Sequence, residues 1–68
     1  MAIQYAKRTL SPTRKINGKV YRYVRTPISW RDQTNLELRL RERGYLVRII
    51  KDANQQEHTY VYRPMVRR

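Results

Sequence analysis

The 68-residue chain contains no cysteine, no phenylalanine and only two glycines. Without cysteine it has neither disulfides nor thiolate ligands, and its single histidine cannot form a cluster of metal ligands. Its apolar runs are far shorter than the roughly 20 residues that a membrane helix needs, and its N-terminus lacks the apolar stretch of a secretion signal. We therefore expect a soluble, cytoplasmic protein without a metal or other cofactor.

Residues typical of catalytic sites are also scarce. His58 has no serine, cysteine or pair of acids at a recognisable spacing, and the five carboxylates are scattered along the chain. Gly18 and Gly44 are a turn and a cap residue, whereas a phosphate-binding loop needs several glycines close together. The sequence therefore predicts a protein that is not an enzyme.

Acidic residues are few, and cations dominate the charge. Sixteen Lys and Arg face five Asp and Glu, which gives a net charge of +11, and twelve of the cations are Arg. Arginine presents a planar, permanently charged fork that suits phosphates and base edges. Such an excess in a short chain is typical of proteins that bind a polyanion, most often nucleic acid. The alternative is a charged surface that serves only solubility.

The order of predicted elements is β-α-β-β. Residues 19–25 alternate as a strand that stops before Pro27. A helix follows, with Ser29 as the N-cap or with a start one turn earlier at Thr26, and it ends near Arg43 with Gly44 as the cap glycine. Strands at 45–51 and 57–63 flank a turn through 52–56 and form a β-hairpin.

This order predicts an α+β fold in a single small domain. Because a strand, a crossover helix and a second strand connect in a right-handed way, we expect a three-stranded antiparallel sheet with the last strand in the centre. One helix packs on one face. The β-α-β-β domain covers residues 18–63, between a basic N-terminal arm at 1–17 and a basic C-terminal tail at 64–68.

Alternation within each strand predicts which side chains face the helix. Val47 and Ile49 point to the core, because a central Arg48 beneath the helix would be costly to bury. In the first strand we favour Tyr21 and Tyr23 inward. The alternative turns Arg22 toward the helix, where Glu37 would be its partner.

In the favoured arrangement Tyr60 and Tyr62 also point inward. Arg22, Arg48 and Arg63 then lie together on the open face of the sheet, one on each strand. Trp30 is expected in the core. The apolar side chains left on the open face need a cover, which could be the arm's Ile3, Tyr5 and Leu10, a second subunit or nucleic acid.

Residues 16–63 resemble a pattern in small uncharacterised basic proteins of archaea and archaeal viruses. In that pattern a Gly-Lys strand precedes a helix that ends Leu-Arg-x-x-Gly-Tyr, and a Val-Arg strand and a Tyr-rich strand ending in Arg follow. The chain departs from it at Gln33 and Glu37, where small apolar residues would face the sheet. The resemblance implies the β-α-β-β fold and no particular activity. The matching positions are Gly18, Tyr21, Leu40, Arg41, Gly44, Tyr45, Val47, Arg48, Tyr62 and Arg63.

We predict a non-catalytic nucleic-acid-binding protein that favours duplex DNA, because a β-sheet or ribbon fits the major groove. A ribosomal or structured-RNA-binding protein is the alternative, and a homodimeric protein-interaction module that pairs through the sheet is a second. We expect the protein to be associated with the nucleoid or the ribosome accordingly. The predicted contact residues are Arg22, Arg48 and Arg63 on the sheet, together with Lys7, Arg8, Arg14, Lys15, Lys19, Arg67 and Arg68 as phosphate anchors.

Overall fold

The computed structural model describes residues 2–7 and 10–64. It contains one helix and four strands in one antiparallel sheet of order β1-β2-β4-β3. The elements are β1 (Thr13–Ile16), β2 (Lys19–Val24), α1 (Trp30–Glu42), β3 (Leu46–Lys51) and β4 (Glu57–Tyr62). The α+β class and the place of the last strand between its two neighbours confirm the sequence prediction. No helix in the described ranges is long and apolar enough to cross a membrane.

The sheet has four strands, whereas the sequence analysis predicted three. The additional strand β1 comes from residues assigned to the arm, and it pairs with β2 from Thr13↔Arg22 to Ile16↔Lys19. Asn17 and Gly18 link the two strands, with φ angles of 51° and 79°. Positive φ at both central residues is the signature of the two-residue hairpin turn that matches the twist of paired strands. The Asn-Gly turn therefore joins the arm to the sheet instead of separating them.

The helix begins and ends near the predicted residues. Ser29 is the N-cap, although its side chain donates and accepts no capping hydrogen bond. Gly44 follows the C-terminal end with a φ of 86°. Its N–H donates to the carbonyl of Arg41, and the N–H of Tyr45 donates to the carbonyl of Leu40, both at 3.0 Å. This pair of bonds satisfies carbonyls that the helix end leaves open.

The helix lies over one face of the sheet, which we call the helix face. Nε2 of Gln33, the buried residue of α1, donates to Oε2 of Glu57 at 3.0 Å. Directly paired residues share a face, and alternate residues of a strand do so too. The helix face therefore carries Val20, Arg22, Val24, Val47, Ile49, Glu57, Thr59 and Val61, and the opposite tyrosine face carries Tyr21, Tyr23, Arg48, His58, Tyr60 and Tyr62.

These faces confirm one prediction and overturn another. Val47 is buried on the helix face and Arg48 points away, as expected. Ile49 shares the helix face but is 37% exposed, so its predicted place in the core is wrong. Tyr21 and Tyr23, however, lie on the face opposite the helix, since Arg22 pairs with Val61 and Val61 pairs with Val47. Alternation sorts the residues within one strand, but the register between strands decides which set faces the helix. Glu37, the partner considered for Arg22, instead bonds to Arg41 at 2.9 Å.

The tyrosine face is buried by its own aromatic rings and by the N-terminal segment. The ring of Tyr23 lies 5.6 Å from the rings of both Tyr60 and His58. The hydroxyl of Tyr60 donates to the carbonyl of Ser11 at 2.5 Å, and Tyr60 is 0% exposed. A segment that the sequence analysis left as an arm thus closes over this face. The contact is made by Ser11, whereas Ile3 and Tyr5, two of the three residues expected to provide a cover, are 51% and 40% exposed.

The N-terminal segment also forms backbone hydrogen bonds with the residues that follow β2. The N–H of Ala6 donates to the carbonyl of Thr26 at 2.7 Å, and the N–H of Ile28 donates to the carbonyl of Gln4 at 2.9 Å. Trp30, which was expected in the core, is 74% exposed. It occupies the first position of α1. The polar side chain of Gln33 is the one buried on the helix instead.

Candidate nucleic-acid interface

The three predicted sheet arginines do not share a face. Arg22 lies on the helix face, and Arg63 continues the alternation that places Val61 there. Arg48 pairs with Tyr60 on the tyrosine face, along the outer strand β3. The prediction that all three form one platform is therefore wrong, and the reason is again the register. All three side chains are exposed.

Arg22 and Arg63 border a groove on the helix face, which we call the basic groove. It has a volume of about 500 Å³ and is lined by Val20, Arg22, Tyr45, Val61, Tyr62 and Arg63. None of these six side chains is acidic. Val20 is 56% exposed on its floor. The groove therefore combines two cations with apolar and aromatic surface.

The charges of the basic groove are not neutralised within the described part of the chain. There the one salt bridge formed by a lysine or arginine joins Arg41 to Glu37, on the helix. Lys15 pairs with Val20 in the β1–β2 register and so adds a third cation on the same face. An unpaired cation beside an apolar surface is ready to bind a phosphate oxygen without first breaking an ion pair.

The other predicted anchors are spread around the molecule. Arg14 pairs with Tyr21 and Lys19 with Ile16, so both lie on the tyrosine face of the first hairpin. Nζ of Lys19 lies 5.7 Å from the ring centroid of Tyr62. Lys7 lines a shallow pocket beside Tyr23 and is exposed. Arg8, Arg67 and Arg68 lie outside the described residues.

Acids and cations are segregated along the chain. Three of the five acids lie in α1, and the other two lie in or beside the β3–β4 turn, at Asp52 and Glu57. Residues 10–25, which contain β1 and β2, include five cations and no acid. The first hairpin is therefore the strongly cationic end of the sheet, and it forms one wall of the basic groove.

Two features near the site were missed by sequence reasoning. The first is a stack of Arg25 on Tyr5, with the guanidinium carbon 4.4 Å from the ring centroid. It forms because Tyr5 bridges to Pro27 just beyond the end of β2. Nothing in the sequence indicates this pairing, since the two segments are about twenty residues apart. The stack holds another cation beside the N-terminal segment.

The second missed feature is a polar cluster around His58. Nε2 of His58 lies 2.9 Å from Oδ2 of Asp52, and Nδ1 lies 3.3 Å from the hydroxyl of Tyr23. Oδ1 of Asp52 accepts the N–H groups of Asn54 and Gln56, at 2.8 and 3.0 Å. An aspartate that binds the backbone two residues later is a common turn signal, and it could have indicated this arrangement.

The geometry of the cluster suits a structural role. The side chain of His58 is 0% exposed and that of Asp52 is 4% exposed. The pair holds the β3–β4 turn against the start of β4. In the ranges that the structure describes, no group of three or more His, Cys, Asp or Glu side chains could hold a metal ion.

The chain matches no family model, no curated protein and no solved structure. Its resemblance to small basic proteins of archaea and archaeal viruses stays a prediction.

Proposed function

We propose that this protein binds nucleic acid without catalysing a reaction, and that its preferred ligand is duplex DNA. The observation that carries the proposal is the basic groove, where Arg22, Arg63 and the adjoining Lys15 surround an apolar floor that includes no acidic side chain. Guanidinium groups bind phosphate oxygens through two parallel hydrogen bonds. Such contacts are strongest where no carboxylate competes for the cation.

The burial of Tyr21 and Tyr60 favours a duplex over a single strand. Proteins that hold unpaired bases stack them on exposed aromatic rings. In this sheet Tyr21 is 3% exposed and Tyr60 is 0% exposed, and their rings pack against other aromatic side chains. Tyr21 and Tyr60 therefore belong to the core. The exposed functional groups of the sheet are cations, which suit the regular phosphates of a duplex.

The rest of the molecule offers little support for catalysis. His58 and Asp52 approach each other as a general base and its orienting acid would, but both side chains are withdrawn from solvent. A general base has to reach a substrate proton within hydrogen-bond distance. The described side chains that remain exposed near the basic groove are cations and apolar groups, which bind and position a ligand.

The salt dependence of binding tests the proposal. A protein that contacts several phosphates releases counterions, so the logarithm of the binding constant falls by about 0.9 per contact for each tenfold rise in salt. Contacts from Lys15, Arg22 and Arg63 alone predict a slope of about −3. Fluorescence anisotropy with a labelled 20-base-pair duplex, between about 50 and 200 mM salt, measures it.

The same titration separates the alternatives. A slope near zero, or no binding at the lowest salt, contradicts nucleic-acid binding. Tighter binding of structured RNA than of duplex DNA at one fixed salt would identify an RNA-binding protein. Light scattering on the free protein tests the third possibility, since a homodimer that does not bind DNA at the lowest salt would support a protein-interaction module.

A further inference from the structure

The β1–β2 hairpin extends beyond the rest of the sheet. The pairing of β2 with β4 covers Arg22 to Val24. The pairing of β2 with β1 continues to Lys19, and β4 ends at Tyr62, beside Tyr21. Val20, Lys19 and the Asn17–Gly18 turn therefore have β1 as their only strand partner among the described residues. At about 3.4 Å per residue, this two-stranded ribbon continues for about 10 Å past Tyr21.

Both faces of the projecting ribbon carry a cation. Lys15 and Val20 form one cross-strand pair, and Ile16 and Lys19 form the next pair toward the turn. Neighbouring pairs point to opposite faces. Lys15 therefore lies on one face of the ribbon and Lys19 on the other, and both are exposed. A ribbon in a DNA groove has a phosphate backbone on each side, so a cation on each face of the ribbon can contact one of them.

We propose that the β1–β2 ribbon enters the major groove of B-form DNA, while Arg22 and Arg63 hold the adjacent phosphates. The major groove is about 12 Å wide and 8.5 Å deep, and it admits a two-stranded ribbon. The ribbon's length of about 10 Å past Tyr21 is sufficient to reach the floor of the groove. This inference rests on the proposed function and names its ligand.

The ribbon also predicts discrimination between DNA and RNA. The major groove of an A-form RNA duplex is deep and too narrow for protein side chains to read. An RNA duplex therefore offers its phosphates to the basic groove but no entry to the ribbon. Binding to RNA should retain salt dependence and lose the part of the affinity that the ribbon contributes.

A chemical change confined to the major groove tests the ribbon directly. We would compare two 20-base-pair duplexes of one sequence in which cytosine is replaced by 5-hydroxymethylcytosine, either free or glucosylated. The glucose fills the major groove and leaves the phosphates unchanged, and the free hydroxymethyl duplex is its matched control. Anisotropy at one fixed salt is the readout. An RNA duplex of the same sequence is the third probe.

We expect the glucosylated duplex and the RNA duplex to bind at least tenfold more weakly than the hydroxymethyl control. If the glucosylated duplex and its control bind with equal affinity, the ribbon proposal is overturned. If that binding still depends on salt, the proposed function stands. An RNA duplex bound as tightly as DNA would overturn the ribbon too. Failure of every duplex to bind at low salt would instead overturn the proposed function, and the ribbon with it.

Variants of the full-length chain provide a second readout. Replacing both ribbon lysines, Lys15→Ala and Lys19→Ala, removes two phosphate contacts and should weaken binding of unmodified DNA by at least about tenfold near 0.1 M salt. Lys51→Ala is the control, compared per charge removed, because Lys51 lies on the far strand β3 opposite Glu57. An equal loss per lysine removed in the control and in the ribbon variant would show that charge alone, without the ribbon's position, determines affinity.

Discussion

His58 and Asp52 form a buried pair that fastens the β3–β4 turn to the sheet. Nε2 of His58 lies 2.9 Å from Oδ2 of Asp52, while Oδ1 of the same carboxylate accepts two backbone N–H groups of the turn. One carboxylate thus satisfies a buried ring nitrogen and shapes the loop. In a domain this small, few interactions replace such a pair when it is lost.

Replacing the carboxylate should destabilise the protein strongly. Asp52→Ala removes the acceptor of three hydrogen bonds and leaves Nε2 of buried His58 without its carboxylate partner. We therefore expect a loss of about 2–4 kcal/mol in the free energy of unfolding. Urea unfolding followed by circular dichroism measures this loss. Asn54→Ala is the control, since Asn54 joins the network through its backbone N–H. A loss below about 0.5 kcal/mol for Asp52→Ala would contradict the structural role.

Thr26 is a second buried polar link. Its hydroxyl donates to the carbonyl of Val24 at 3.0 Å and accepts the N–H of Thr59 at 2.7 Å, where β2 leaves the sheet. Thr26→Val keeps the shape but leaves that N–H without an acceptor, so we expect a cost of about 1–3 kcal/mol. Thr26→Ser should retain most of the stability. Equal unfolding midpoints for the two variants would show that the hydroxyl is unimportant.

Local sequence signals predicted the elements well, because each signal acts over a few residues. Gly44 ends the helix where a left-handed residue is needed, and the faces of Val47 and Arg48 follow from the cost of burying a charge. The first hairpin was equally readable. Asn17–Gly18 is a strong hairpin signal, but it was interpreted as the turn that ends a basic arm at residues 1–17.

The site was harder to predict, because it depends on how distant strands align. The alternation in β2 was correct, yet the pairing of Arg22 with Val61 decides that Arg22 and Arg63 share a face without Arg48. Burial of tyrosine was taken to mean burial beneath the helix. In the structure the N-terminal segment covers Tyr60 instead, through a contact with Ser11 that lies 49 residues away in sequence.

The two glycines allow a test that separates stability from binding. Gly18 and Gly44 have φ angles of 79° and 86°, and a Cβ atom added at either would meet no neighbouring atom within 4 Å. Alanine should therefore cost only the left-handed backbone conformation, about 1–2 kcal/mol at each position. Thermal unfolding of both variants checks this equality.

Binding should distinguish the two glycine variants. Gly18→Ala strains the turn that holds the ribbon, so we expect weaker binding to duplex DNA than in Gly44→Ala at the same temperature, well below both unfolding midpoints. Gly44→Ala serves as the stability-matched control, because Gly44 lies between α1 and β3 and outside the β1–β2 ribbon. Identical affinities would mean that the turn at Gly18 has no part in recognition.

The central proposal is that Arg22 and Arg63 of the basic groove hold phosphates and that Arg48, in the middle of β3 on the tyrosine face, does not. Its most direct test compares the double variant Arg22→Ala/Arg63→Ala with Arg48→Ala, an exposed arginine of the same sheet on the opposite face. The measurement is the salt dependence of duplex binding by anisotropy, on variants whose unfolding midpoints match the parent. We predict that the double variant lowers the magnitude of the slope by about 2, whereas Arg48→Ala leaves it unchanged. An unchanged slope in the double variant together with a reduced slope in Arg48→Ala would contradict this proposal and place the phosphates at Arg48 on the tyrosine face.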